Sequence, residues 1–410
     1  MPRTRTILCL ADAEKGQAFL RAVHERGLRV LLLTRDGLAG ADWPRDCIDE
    51  LHTIHELNNP RELVDCVLWL ARDQPIDLIV GLDEFDITRA ASLRELLRIE
   101  GMPLTQALRW RDKLAQRQIC AAAGIPVPPF VPFYERPAVR SFLERVPGPW
   151  LMKPRMLAGS LGIRRYETLP EVGAAFERLG AESVDHVLEQ FIPGPLYHVD
   201  GIVDGGRILF VQAHRYGRPL LEVAQGGGVF SSTTVQRGSP TEKGLLDAHA
   251  QVVAALGLER GVTHAEFIED RAGHFVFVET AARVGGAHLS DLIEATSGVN
   301  LWREWGRLSA LAPGERYELP SVRADHGGLL LCLARQEYPD YAAYSDSEVR
   351  LRIHHKHHAG LVVNTPTAAR AEQLIADYMR RFATDFLAVL PVVETGIGID
   401  GPSVRALFRP

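Results

Sequence analysis

Residues 261–286 read GVTHAEFIEDRAGHFVFVETAARVGG. Positions 263–269 and 274–281 are apolar runs rich in Val, Phe and Ile, joined by Asp270-Arg271-Ala272-Gly273. Two such runs flanking a turn signal a hairpin. With the loop at 270–273, Glu269 opposes His274, His264 opposes Glu279, and Glu266 opposes Phe277. The two-residue period then puts His264, Glu266, Phe277, Glu279, Ala281 and Arg283 on one sheet face. Glu266 and Glu279 would lie diagonally across the strand pair, roughly 7–8 Å apart by backbone. Two carboxylates buried together without a cation are costly, so a divalent metal is the natural resident. Carboxylates, metal and arginine together suggest phosphate chemistry.

Three other segments carry groups of the same kind. Arg111-Asp112-Lys113 falls on a predicted helix, 109–123, just before AAAGIPVP. Alone, such a triplet is ordinarily a solvated helix face. Lys153 ends the predicted strand 150–153 and precedes the loop 155–162, RMLAGSLG. A lysine beside small residues can cradle phosphate: Gly159 and Gly162 let backbone N–H groups approach, and Ser160 adds a hydroxyl. A generic turn is the alternative there. At Glu189-Gln190-Phe191-Ile192 a strand runs into the turn Pro193-Gly194, where its backbone could meet an adenine edge.

The elements that must position these groups follow from periodicity. Length, 410 residues, allows about two to four domains. Strands alternate with helices through the first 100 residues, which indicates a doubly wound parallel sheet. Its first strand–helix connection, ADAEKG, lacks the G-x-G-x-x-G turn, so no dinucleotide is expected there. A Pro-rich stretch from Pro126 to Pro137 marks a boundary, and 196–283 read as mainly antiparallel. The net charge of −6 gives no drive toward nucleic acid or acidic membranes. Five scattered cysteines without a CxxC pair, and no apolar run near 18 residues, point to a cytoplasmic chain.

In this order the motifs resemble the ATP-grasp superfamily, closest in general character to its stand-alone carboxylate–amine ligases. Asp112-Lys113 before AAAGIPVP resembles the first nucleotide lysine, and Lys153-Pro154 with the 159–162 loop the second lysine and flexible phosphate loop. Glu189-Gln190-Phe191-Ile192-x-Gly194 is similar to the adenine hinge, and the hairpin to the metal end. The likeness covers roughly the first 310 residues. It implies an α/β fold (α+β in the catalytic part) with four parts. These are an N-terminal Rossmann-like domain, 1–110; a mobile lid, 111–187; an antiparallel catalytic part, 188–315; and a C-terminal α/β subdomain, 316–410. It also implies an enzyme that uses ATP and Mg²⁺ (or Mn²⁺) to phosphorylate a small carboxylate and couple it to an amine.

On this reading Glu266 and Glu279 bind metal, Lys113 and Lys153 bind phosphates, and Arg283 steadies the reacting group. Two positions depart from the family pattern. Ala281 stands where a metal-site asparagine is usual, and Leu196 where a glutamate usually binds ribose. On Leu196's face His198 and Asp200 are the substitutes, with Asp200 favoured. Weaker substrate candidates are Arg215, His264, Gly286 and His288. The tract His354-His355-Lys356-His357-His358 is disfavoured as a metal site by its lysine and by alternation. The alternatives are a carboxylase of biotin-carboxylase type and a catalytically silent nucleotide-binding protein. A homodimer is the base-rate expectation.

Overall fold

A computed structural model describes residues 3–388. Strands β1 (Thr6–Ala11), β2 (Arg29–Arg35), β3 (Glu50–Ile54) and β4 (Leu78–Gly81) form a parallel sheet in the order β3-β2-β1-β4. Every residue of β1 is buried, as expected of a strand covered on both faces. Leu8, Leu10, Leu31 and Leu33 meet Leu63, Val67 and Leu70 on one side. Ile7, Cys9, Val30 and Leu32 meet Phe19 and Val23 on the other. That second cluster continues into Trp305 and Leu308 of the helix Leu301–Ser309, with the Phe19 and Trp305 rings edge to face at 5.0 Å. The N-terminal unit is therefore packed on the rest of the molecule through an apolar seam.

A second sheet is antiparallel and small. It comprises β5 (Phe130–Pro132), β6 (Trp150–Pro154), β7 (Arg164–Tyr166) and β8 (His186–Gln190), in the order β5-β8-β6-β7. The helices Arg136–Arg145 and Leu169–Leu179 cover one face, around Phe133, Phe142, Trp150, Val172 and Leu188. The second of these helices opens on a Thr168/Glu171 capping box, which satisfies two orphan N–H groups.

The third sheet has eight antiparallel strands: β9 (Leu196–Asp204), β10 (Arg207–Tyr216), β11 (Phe230–Thr234), β12 (Arg260–Glu269), β13 (Phe275–Ala281), β14 (His326–Leu333), β15 (Val349–His355) and β16 (His358–Thr365). Their order is β13-β12-β9-β10-β11-β14-β16-β15. Beyond residue 315, where a C-terminal α/β subdomain is expected, β14 pairs with β11, and β16 and β15 follow it at the edge of the eight-stranded sheet. Residues 389–410 of that expected subdomain lie outside the described residues. Among the described residues no helix is long and apolar enough to cross a membrane.

Behind the sheet runs the helix Pro240–Leu256. It buries Leu245, His249, Val252, Val253 and Leu256, the stripe of a helix with one apolar face. His249 sits in that stripe with Nε2 2.9 Å from Thr263 Oγ1. Burial pushes its imidazole down from 6.5 to about 4. Between those values the unfolded chain takes up a proton that the folded chain refuses, so acidification favours unfolding. Wild type should therefore lose more denaturant stability than His249→Gln as pH falls from 6.5 toward 4. Parallel pH profiles of the two midpoints would refute this origin.

Candidate active site

The two acids of the β12–β13 hairpin face each other directly. Glu266 pairs with Glu279 and His264 with Ala281, because Glu269 pairs with Phe275, one residue beyond His274, and the ladder shifts by one more between Glu266 and Phe267. The expected register held Glu266 opposite Phe277 and no such shift. A β-bulge adds one residue to β13 and turns Phe277 to the opposite face. There it pairs with Phe267 in the buried core. Like charges placed directly opposite repel, so cations or donors must answer them. Lys113 Nζ lies 2.8 Å from Glu279 Oε2. The Tyr216 hydroxyl donates to Glu266 Oε1 at 3.0 Å, and His264 Nε2 is 3.6 Å from the same oxygen. Burial would raise Glu266, but these two partners outweigh it and hold the carboxyl below its ordinary range.

Beneath the acids lies a closed polar network. Asp200 Oδ1 contacts His264 Nδ1 at 2.8 Å and its Oδ2 contacts His198 Nδ1 at 2.6 Å. His198 Nε2 in turn meets Ser232 Oγ at 2.8 Å. Although burial lowers it, His264 is pushed up to about 9 by Asp200 and Glu266. Asp200 and His198 are wholly buried, since β9 is flanked by β12 and β10. The expectation that Asp200 contacts a ribose is corrected accordingly: no surface of it is exposed, and both oxygens are occupied. His198, Asp200 and His264 also form the one group among the described residues with metal-ligand spacing. Their nitrogens and oxygens already satisfy one another.

The two lysines come from the helix Lys113–Ala122 and from β6, and each is anchored on a carboxylate. Lys113 opens the helix Lys113–Ala122, capped by Asp112, which Arg155 grips with two nitrogens. Lys113 Nζ also donates to Leu157 O at 2.6 Å. The triplet 111–113 is buried throughout, contrary to a solvated helix face. Lys153 on β6 reaches Glu189 Oε2 at 3.0 Å, and Arg117 Nη2 lies 2.9 Å from Glu189 Oε1. That second contact is not aligned as a hydrogen bond. The Arg117 guanidinium rests instead between this charge and the Phe277 ring, 5.7 Å away.

The Glu189 side chain thus faces cations. Gln190 and Phe191 give their N–H groups to Pro129 O and Pro149 O. Among the described residues the Ile192 N–H has no backbone acceptor. In the loop, Gly159, Ser160 and Gly162 all have positive φ. A Cβ on Gly162 would come within 2.7 Å of Pro154, while Gly159 faces open space.

Arg283 donates through Nε to Glu84 Oε2 at 3.0 Å, and its Nη2 also reaches that oxygen. Arg111 binds the other Glu84 oxygen. Burial would raise Glu84, but Arg283, Arg111 and Lys113 together hold it far below the usual carboxylate range. Glu84 did not emerge from the sequence reading. It follows β4 at the C-terminal edge of the parallel sheet, where open α/β sheets place their ligands, and that was the available signal.

A cavity of about 390 Å³ joins these groups, lined by Glu84, Gly159, Ser160, His264, Glu266, Glu279, Arg283 and Gly286 among others. Two weaker candidates fall outside it. Arg215 lies between His214 and Tyr216 and so points to the other face of β10, where it is exposed. His288 begins the helix Leu289–Ser297 and pairs with Asp291 at 2.7 Å. In the histidine tract, His355 and His358 are cross-strand partners at a hairpin end.

Arg117→Met would leave Glu189 buried with Lys153 alone. Lys153 still answers the charge, so the cost should fall below the about 3–5 kcal/mol of a buried carboxylate left with no partner. Urea unfolding should show a loss of about 1–3 kcal/mol, and no loss at all would contradict a stabilising role for Arg117.

No family model matches the chain. It is 25% identical over 261 residues to the L-arginine-specific L-amino acid ligase of Bacillus subtilis, covering 62% of each chain. It is 25% identical over 279 residues to human carnosine synthase 1, covering 62% of this chain and 32% of that one. The chain thus spans less than two thirds of these relatives. The crystal structure of an L-amino acid ligase from Bacillus licheniformis superposes with a TM-score of 0.73 at 18% identity, over 95% of this chain and all of that one.

Proposed function

We propose that this chain, an ATP-grasp protein by fold, is an ADP-forming carboxylate–amine ligase. The observation that carries the proposal is the facing pair Glu266 and Glu279, with Lys113 on Glu279 and Arg283 lining the same cavity. The reaction is phosphorylation of a carboxylate by ATP, then displacement of phosphate from the acyl phosphate by an amine. No protein nucleophile is needed.

The donor set fits a hard divalent cation. Glu266 and Glu279 offer oxygen only, from two adjacent strands, and would hold Mg²⁺ (or Mn²⁺) with water and phosphate oxygens completing the shell. Bound there, the ion would neutralise phosphate charge. Ala281 adds no ligand, which leaves the two carboxylates as the protein's share.

The chain's own groups do the remaining work. Lys113 and Lys153 would exchange their carboxylate partners for nucleotide phosphates, and Gly159 and Ser160 would close over them with backbone N–H groups. The Ile192 N–H is the free donor at the hinge for an adenine edge. Arg283, fixed by Glu84, would present its guanidinium to the reacting carboxylate or phosphoryl group. Closure of the β5–β8 sheet over the cavity would keep water from the acyl phosphate. We place the enzyme in the cytoplasm, a setting that suits its five free thiols.

Lys153→Ala and Glu279→Ala should each abolish ADP formation in the presence of Mg·ATP and a competent acid. Retained turnover in either variant would sink the assignment. ADP and phosphate that appear only with a carboxylic acid, trapped by hydroxylamine as a hydroxamate, support the ligase. Dependence on bicarbonate would instead identify a carboxylase, and nucleotide binding without turnover a silent protein.

A further inference from the structure

The cavity has a second, apolar end, and the sheet ladder shows how it is built. Residues paired across strands share a face, as do residues two apart along a strand. From Glu266 the face runs to His198, then His214, and two residues on to Tyr216. Tyr216 pairs with Ser232, two residues from Phe230, and Phe230 pairs with Leu331 of β14. One continuous face therefore passes from carboxylates to a phenol and then to an aromatic ring and a leucine. Leu220 and Val223, on the short helix Leu220–Gly226, and Leu289 complete this end.

The charges along the cavity are all at the other end. Glu84, His264, Glu266, Glu279 and Arg283 line it on the β12–β13 side, and among the described residues no charged side chain lines the part formed by β11, β14 and the helix. An ammonium, guanidinium or carboxylate placed there would be desolvated without a partner. An aliphatic or aromatic side chain would gain by leaving water.

We propose that the acid activated by this enzyme is an amino acid with an apolar side chain of leucine, methionine or phenylalanine size. Its carboxylate lies toward Arg283 and the metal-site acids, and its side chain against Phe230, Leu331 and Val223. The assignment rests on the ligase reading. It also gives the C-terminal strands a function, since β14 supplies one wall of the selective end.

The full chain with Mg·ATP and hydroxylamine tests it, using L-leucine, L-methionine and L-phenylalanine against L-arginine and L-glutamate. The kcat/KM for hydroxamate formation should favour the apolar acids by at least roughly 10-fold, the scale of one or two methylenes in an apolar pocket. Val223→Glu, on a half-buried helix outside the sheet, should reduce the leucine-to-arginine ratio by a similar factor. Charged acids used equally well, or a ratio unmoved by Val223→Glu, would overturn the apolar assignment and leave the ligase intact. Calorimetry with L-leucine and Mg·ADP separates the two readings. Leucine bound while no acid yields ADP would refute the ligase and keep the pocket, whereas no binding of any apolar acid would refute the pocket.

Discussion

Two glutamates held face to face on adjacent strands set the terms for everything around them. Glu266 and Glu279 repel each other at close range, and one of them is buried. The fold answers with donors and a cation from two regions. Tyr216 and His264 come from the same sheet, and Lys113 from the helix that precedes the small sheet. The repulsion that makes the pair costly in isolation is also what would make it, on the proposed function, a seat for a divalent cation.

The same logic repeats at each junction between parts. Glu84, just after β4, is gripped by Arg111 and by Arg283, so one carboxylate ties the parallel sheet to the segment that follows β13. Glu189 on β8 lies between Lys153 and Arg117, and Asp112 is locked by Arg155. These pairs are largely shielded from solvent, where an unpaired charge would be far more costly than on the surface. Charge balance at the cavity is thereby coupled to the relative placement of the three sheets. A polyanion and a cation entering together would exchange partners with Lys113 and Glu279 at once.

Much of this was legible in the chain. Alternation placed the hairpin, the parallel N-terminal sheet and the antiparallel centre, and the small residues at Gly159–Gly162 marked a turn of positive φ. What was missed has physical causes. The turn takes one residue more than expected and the bulge in β13 another, so Phe277 was assigned to the wrong face. Asp200 was read as a ribose contact because the strand order β13-β12-β9-β10, which buries it, cannot be derived from local pattern. Glu84 meets Arg283 across 199 positions of sequence, a distance no motif spans. The union of β11 with β14 likewise depends on a long-range pairing, and with it the apolar end of the cavity.

The central claim is that phosphate leaves an acyl phosphate made from the substrate's own carboxylate. An amino acid labelled with ¹⁸O in both carboxyl oxygens tests this directly, by mass spectrometry of the phosphate released during amide formation. The ligase account predicts one ¹⁸O in each phosphate, because the bridging oxygen departs with phosphorus when the amine attacks the carbonyl carbon. Phosphate free of label, released at the same rate as amide, would contradict it.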